Sequence, residues 1–290
     1  MTDVITDTGL RSEEGLPTAT PTADSRRAGR SILRQPLVWQ VLIILAFIAA
    51  WQFIPEIKGA RSLSPALDPF FISSPLRQVH ELYRLATGAD HTTMVWGAFR
   101  RSMVPAVVGT LIAIVLGAAG GLVCSNWLLL NRVVRPFLLA FNAVPRIVLI
   151  PIVIVISGPT ATANIIVGVL VVFFLVFFSA YEGGTSVPDE IMQNMQILGA
   201  GPRDQLLLVR LQYVLTWTFA QLPNAIAFGI TAVITAELFG GAQGLGALLL
   251  VAVQTANADL TVSVALILAF SSLILIAIAS YIRGVVLRWQ

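Results

Sequence analysis

The chain has 290 residues, is 57% apolar with a mean hydropathy of +0.85, and carries only 11% Asp, Glu, Lys and Arg, far from the roughly half-apolar, quarter-charged make-up of soluble domains. That composition excludes a soluble globular domain and predicts a membrane protein whose long uncharged runs are covered by lipid. The net charge of +3 and pI near 9.5 do not indicate nucleic acid, because the basic residues sit at loop ends and form no stripe interleaved with aromatics.

Residues 1–36 are polar, rich in Thr, Ala, Ser and Pro, and contain no apolar signal-peptide core; they read as a disordered cytoplasmic tail. Windows of about 20 apolar residues, the length that crosses roughly 30 Å of hydrocarbon, then give six candidate spans at 37–54, 103–123, 137–156, 163–180, 219–239 and 261–282. The expected fold class is all-α and polytopic. The organisation is a tail (1–36), a first helix with an extracellular segment (37–102), and a core (103–290) containing a long loop at 181–218. Arg and Lys near the span ends favour an arrangement with both termini cytoplasmic, although Arg100 and Arg101 oppose it. The lone Cys124 has no internal partner and reads as inert.

Between the first two spans, "PLRQVHELYRLATG" repeats Leu76, Val79, Leu82, Tyr83 and Leu85 at helical spacing. It predicts an interfacial or packed extracellular helix, with ligand binding as the less favoured alternative. In the third span, Arg146 lies between Pro145 and Pro151. A mid-span Arg costs roughly 2.5–3.5 kcal/mol on insertion scales and so must face protein or water, and each Pro removes a helical donor. A bent, cavity-lining segment including Asn142, Pro145 and Arg146 follows. Arg146 is read either as a clamp on loose carbonyls or as positive potential in an anion pathway.

The 181–218 loop contains "IMQNMQILGAGPRDQLLLVRLQ". Pro188 suits a helix start, with Asp189 and Glu190 at its positive end; Gly199 and Gly201 end it, and Pro202 starts the next helix beside Arg203. The result is a short helix on a rigid elbow. Ile191, Met195 and Leu198 share one face, which either packs on the spans or is gripped by a partner. Glu237 closes the fifth span just before "LFGGAQGLGALLL", whose glycines suggest a short re-entrant or gate segment around Gly244 and Gly246. Glu237 is placed with Asn142, Pro145 and Arg146 on the expected translocation pathway, and is read as bonding glycine amides or as touching a docked protein. The G-x3-G of Gly117 and Gly121 reads as helix packing.

The 191–212 loop resembles the cytoplasmic loop of type I ATP-binding cassette (ABC) importer permeases, whose pattern runs E-A-A, three residues, Gly, nine residues, I-x-L-P. With the family's Gly on Gly199, its E-A-A falls on Gln193, Asn194 and Met195, so the Glu, both alanines and the Pro are absent here. "FISSPLRQVHELYRLATG", "NAVPRIVLIPIVIVISG" and "ITAELFGGAQGLGALLL" are similar, in the same order, to the branch that carries nitrate, taurine, sulfonates and related solutes. The resemblance covers about 71–290 and implies a permease translocating a small anionic or zwitterionic solute.

It also implies partners: a second permease, identical or not, two cytoplasmic ATPase subunits holding ATP and Mg, an extracellular substrate-binding protein, and membrane lipid. In the family the loop helix is a coupling helix fitting a groove on the ATPase, which assigns coupling to Asp189, Glu190, Gln193, Asn194, Met195, Ile197, Gly199, Gly201, Pro202 and Arg203. Gln193 in place of the family's Glu marks either the weaker-coupled half of a heterodimer or a site where Gln bonds well enough.

Several chemistries are excluded from the residues alone. A P-loop needs G-x4-G-K-[ST], and Lys58, the only lysine, is followed by Gly59; ATP hydrolysis would need a separate subunit. His80 and His91 have no Cys, Asp or Glu at zinc-ligand spacing, and no nucleophile elbow or carboxylate pair occurs. No catalytic residue, metal or cofactor bound by this chain is therefore expected. The competing class, a stand-alone secondary transporter or channel, would need coupling-ion ligands within the spans, where only Arg146 and Glu237 are ionisable.

Overall fold

The computed structural model describes residues 36–53, 73–87, 92–240 and 243–286. Every regular element among them is helical: α1 (Pro36–Phe53), α2 (Pro75–Thr87), α3 (Thr92–Asn126), α4 (Leu128–Ala143), α5 (Leu149–Ser157), α6 (Ala161–Thr185), α7 (Asp189–Ile197), α8 (Leu211–Ala220), α9 (Leu222–Gly240), α10 (Leu245–Gln254) and α11 (Ala258–Val286). Four stretches are long and apolar enough to cross a membrane, namely Val95–Asn126 in α3 together with α6, α9 and α11. They coincide with the second, fourth, fifth and sixth expected spans. The first expected span forms α1, an 18-residue apolar helix.

The expected third span is not one helix. α4 ends at Ala143, Val144 and Pro145 are extended (ψ 125° and 106°), a 3₁₀ turn spans Arg146–Val148, and α5 follows. Pro145 is the cause, because its ring disfavours helical geometry at Val144 and it lacks the N–H that would continue the helix. Pro151 does not share in the break: it is the third residue of α5, a first-turn position where a missing N–H has no partner to lose. At 1.5 Å per residue α4 and α5 extend roughly 24 and 14 Å, each short of the ~30 Å of hydrocarbon.

The core is organised on α3 against α6, the most extensive helix pair, with α9 crossing both. Val167, Val172, Val176 and Ala180 on α6 are fully buried, as are Ala106 and Ala113 on α3 and Ala225, Val233 and Ala236 on α9. Small residues allow this approach: a Cβ on Gly117 would lie 3.0 Å from Phe177 N, and one on Gly121 would lie 2.7 Å from Tyr181 N. Without a hydrophobic drive between helices in lipid, such close backbone packing supplies much of the association.

The apolar stripe of α2 is largely exposed. Leu76, Val79 and Tyr83 are exposed, and the residue that points inward is Gln78. Its Nε2 donates to Ser73 Oγ (2.6 Å) and to the Asp259 carbonyl (3.1 Å), and its Oε1 accepts from Ser263 Oγ (2.8 Å). A buried amide satisfied on both ends thus ties α2 to α11, with Leu76, Val79 and Tyr83 left on the exposed side. Gln78→Leu is expected to destabilise the protein by about 1–3 kcal/mol by stranding the Ser263 hydroxyl. Thermal unfolding in detergent would show this drop, with Leu76→Gln as the neutral comparison.

Candidate functional site

Two ends of the bundle carry the polar constellations. At one end α6 runs into α7 through the loop 186–188, and the first turn of α7 holds Asp189 and Glu190 at the positive end of the helix. The helix closes with Leu198, then Gly199 at φ +79°, a conformation that favours glycine. Ala200 N donates to Met195 O (2.9 Å) and Gly199 N to Gln196 O (3.0 Å), the paired bonds of a Schellman motif. Gly201 N then donates to Asp204 Oδ2 (3.1 Å) and Pro202 opens the next turn beside Arg203. A π-helical stretch, Gln205–Arg210, joins it to α8.

Of the three residues placed on one face of α7 by spacing, Leu198 alone is largely exposed. Ile191 and Met195 are half-buried against the protein, Gln193 and Asn194 are exposed, and Ile197 and Leu198 are 82% and 81% exposed. The exposed apolar surface therefore sits at the last turn and the Schellman corner. Arg210 fixes this module to the bundle, donating from Nη1 to the Ser125 carbonyl (2.6 Å) in the last turn of α3. Burial lowers the Arg210 pKa from its ordinary value, and the negative end of α3 offsets that desolvation. Ser179 Oγ donates to the Trp217 carbonyl (3.0 Å), and Tyr181 Oη to Asn131 Oδ1 (2.6 Å).

At the opposite end Glu237, 1% exposed, lies in α9 at the meeting of four helices. Ser102 Oγ of α3 is 2.8 Å from each carboxylate oxygen, Gly246 N of α10 donates to Oε2 (2.8 Å), and Asn164 Nδ2 of α6 is 3.5 Å from Oε1. The same Ser102 hydroxyl accepts from Leu245 N (2.8 Å), so the first amides of α10 are capped from two other helices. Gly244 and Gly246 are needed for this approach. A Cβ at Gly244 would run into the Glu237 carboxylate, and one at Gly246 would lie 2.6 Å from the Ile234 carbonyl.

Arg146 occupies the 3₁₀ turn after Pro145 and lines a cavity of about 260 Å³ with Val144, Ile150, Phe228, Thr231 and Thr235. Thr231 is exposed and Thr235 half-buried on α9, and both line the cavity. Asn142 lies in the last turn of α4, with its side chain outside the described residues.

The sequence profile of the binding-protein-dependent transport system inner membrane component family matches residues 117–289, more than half of the chain. The chain belongs to this family. Similar curated proteins include a probable ABC transporter permease protein of Haemophilus influenzae, 23% identical over 82% of this chain and 92% of its own length. Others are the taurine transport system permease protein TauC of Escherichia coli (24%, covering 88% and 89%) and the riboflavin transport system permease protein RibX of Chloroflexus aurantiacus (26%, covering 56% and 60%). The protein is a multi-pass permease subunit of an ABC importer. Such a permease works with ATPase and substrate-binding partners, and the ATPase activity lies in separate subunits.

Placed on this permease, the loop residues 189–203 form one module, Arg146 and Pro145 a second, and Glu237, Gly244 and Gly246 a third. Sequence reasoning missed Ser102, Asn164 and Arg210. A signal existed for the first two, since a neutral polar residue facing an all-apolar helix contact has to find a partner, but attention to ionisable groups alone passed over them.

Proposed function

We propose that this permease pairs with a second permease subunit and two ATPase subunits holding ATP and Mg, and receives its solute from an extracellular binding protein. Both termini and α7 lie on the cytoplasmic side. α7 is the coupling helix, and closure of the ATPases is passed through the Gly201–Pro202 elbow and the Arg210–Ser125 bond to α8 and α3. Gly199 and Pro202 hold the helix at a fixed angle, while Asp189, Glu190, Gln193, Asn194, Ile197 and Arg203 meet the ATPase. The observation that carries this reading is a short helix, stopped by a full Schellman motif, whose last apolar turn is more than 80% exposed.

Ile197→Asp with Leu198→Asp is expected to reduce co-purification of the ATPase at least about tenfold, the scale set by losing one well-buried apolar contact. The isolated permease should keep its elution volume. Retention of full ATPase binding by that double variant would remove the assignment. Arg146 and the Thr231 and Thr235 edge are placed on the translocation pathway, and the solute is small and anionic or zwitterionic. Arg146→Gln is expected to lower uptake in proteoliposomes containing the whole complex while leaving ATPase binding intact. Unchanged uptake and unchanged substrate-stimulated ATP hydrolysis would reduce Arg146 to a structural clamp.

A further inference from the structure

We propose that the slot between α3, α9 and α11 holds one acyl chain of an anionic phospholipid, whose phosphate pairs with Arg283. The slot measures about 290 Å³. Its lining runs from Ala106 to Ile114 on α3, from Leu222 to Ile230 on α9 and from Leu275 to Ile282 on α11, so at about 1.5 Å per residue it extends roughly 11–12 Å along the bundle. That volume over that length is a mean cross-section of about 25 Å². A further helix, about 10 Å across, needs roughly three times as much, whereas a single alkyl chain, about 4–5 Å wide at carbon contact distances, fits.

The floor and the lip of the slot differ. Ala106, Leu222, Ile230 and Ala279 are buried, while Leu111 and Ile278 are 57% and 50% exposed, so it opens sideways out of the bundle. Its walls α3, α9 and α11 are all long and apolar enough to cross a membrane, which puts that opening against hydrocarbon. Among the described residues Thr110 alone brings a polar side chain to the lining, so a polar solute would lose its hydration there without replacement hydrogen bonds. A lipid chain has no hydration to lose and gains the dispersion contacts that an unfilled slot forgoes.

The headgroup end is set by α11. Leu275, Ala279 and Arg283 recur every four residues, so Arg283 continues the lining stripe one turn beyond Ala279. It is exposed, in the last turn of α11. Tyr281 in the same turn is exposed too, as aromatic residues are at a membrane boundary. Among the described residues no carboxylate pairs with Arg283. A free cation at the end of an apolar slot complements a phospholipid of net negative charge.

The site does not rest on the coupling or pathway assignments. The test uses the complete transporter in phosphatidylcholine nanodiscs that carry a trace of either phosphatidylglycerol or phosphatidylcholine with a mid-chain diazirine. After irradiation, mass spectrometry is expected to find label on both 106–114 and 275–282, in excess over the exposed Val155 and Ile156 of α5. Labelling by phosphatidylglycerol should exceed that by phosphatidylcholine about fivefold, the scale of one Arg against an anionic lipid. Arg283→Gln should erase that difference and leave ATP hydrolysis unchanged. Ala279→Phe, which fills the slot, should remove label from both stretches; if it fails to fold, Ile278→Trp at the exposed lip takes its place. Label spread evenly over exposed apolar residues, equal labelling by the two lipids, or a preference indifferent to Arg283→Gln would overturn the site. So would the absence of label at both stretches, the result expected if a helix of the second permease covers the slot. ATP hydrolysis measured in the same particles separates these outcomes from failure of the importer assembly.

Discussion

Gly121→Ala is expected to destabilise the permease by about 3 kcal/mol, the upper end of typical overpacking penalties, and to cut the yield of monodisperse protein sharply. The added methyl carbon would lie 2.5 Å from Ala180 Cβ, 2.7 Å from Tyr181 N and 2.8 Å from Phe177 O. Two of those three atoms are backbone and the third is a Cβ, so no rotamer change relieves the overlap and α3 must separate from α6. Because that pair is the most extensive in the fold, the loss spreads to α9. Two neighbours calibrate the effect. A Cβ at Gly120 meets only the Phe177 ring at 3.0 Å, which can turn, and a Cβ at Gly97 meets nothing within 4 Å. Gly120→Ala should therefore be mild, and Gly97→Ala neutral or stabilising by up to about 1 kcal/mol through helix propensity. Size-exclusion profiles and thermal unfolding of the three variants give the order; equal behaviour of Gly97→Ala and Gly121→Ala would refute the packing account.

Glu237→Gln should have the next largest effect, about 2–3 kcal/mol of stability, the range for hydrogen bonds to charged groups, together with loss of uptake. The carboxylate accepts from Ser102 Oγ and Gly246 N and faces Asn164 Nδ2. An amide at that position offers one oxygen, and its NH2 group would face another donor. Ser102→Ala is the milder partner change. It strands Leu245 N and removes one donor while leaving the Gly246 bond, for about 1–3 kcal/mol. If Glu237→Gln kept wild-type unfolding temperature and uptake in proteoliposomes, the carboxylate would not be what fastens α10 to α3 and α9.

Much of this site was legible in the sequence because glycine and proline have strong local consequences. Gly199, Gly201 and Pro202 marked the elbow after α7, and Gly199 does take the φ of +79° that ends the helix. Pro145 beside Arg146 marked a bend, though the break into α4 and α5 was more complete than a kink. Long apolar runs likewise located α3, α6, α9 and α11, since covering about 30 Å of hydrocarbon leaves few alternatives. The stripe of α2 left two readings open, interfacial or packed, and Gln78 was not singled out, because apolar periodicity gives a face its polarity but not its neighbour. In lipid the apolar side can be the outside.

By itself the sequence determined that this is a polytopic helical membrane protein, where its chain turns, and that no P-loop for ATP lies within it. Those properties follow from composition, run length and local backbone preference. Only the tertiary structure decided that Ser102, Asn164, Glu237 and Gly246 meet, that Arg210 reaches the end of α3, and that Ile197 and Leu198 rather than Ile191 and Met195 face outward on α7. Ser102 and Glu237 are 135 residues apart, and no local preference encodes such a meeting. It exists because glycines let the helices approach until buried polar atoms have no partners other than one another.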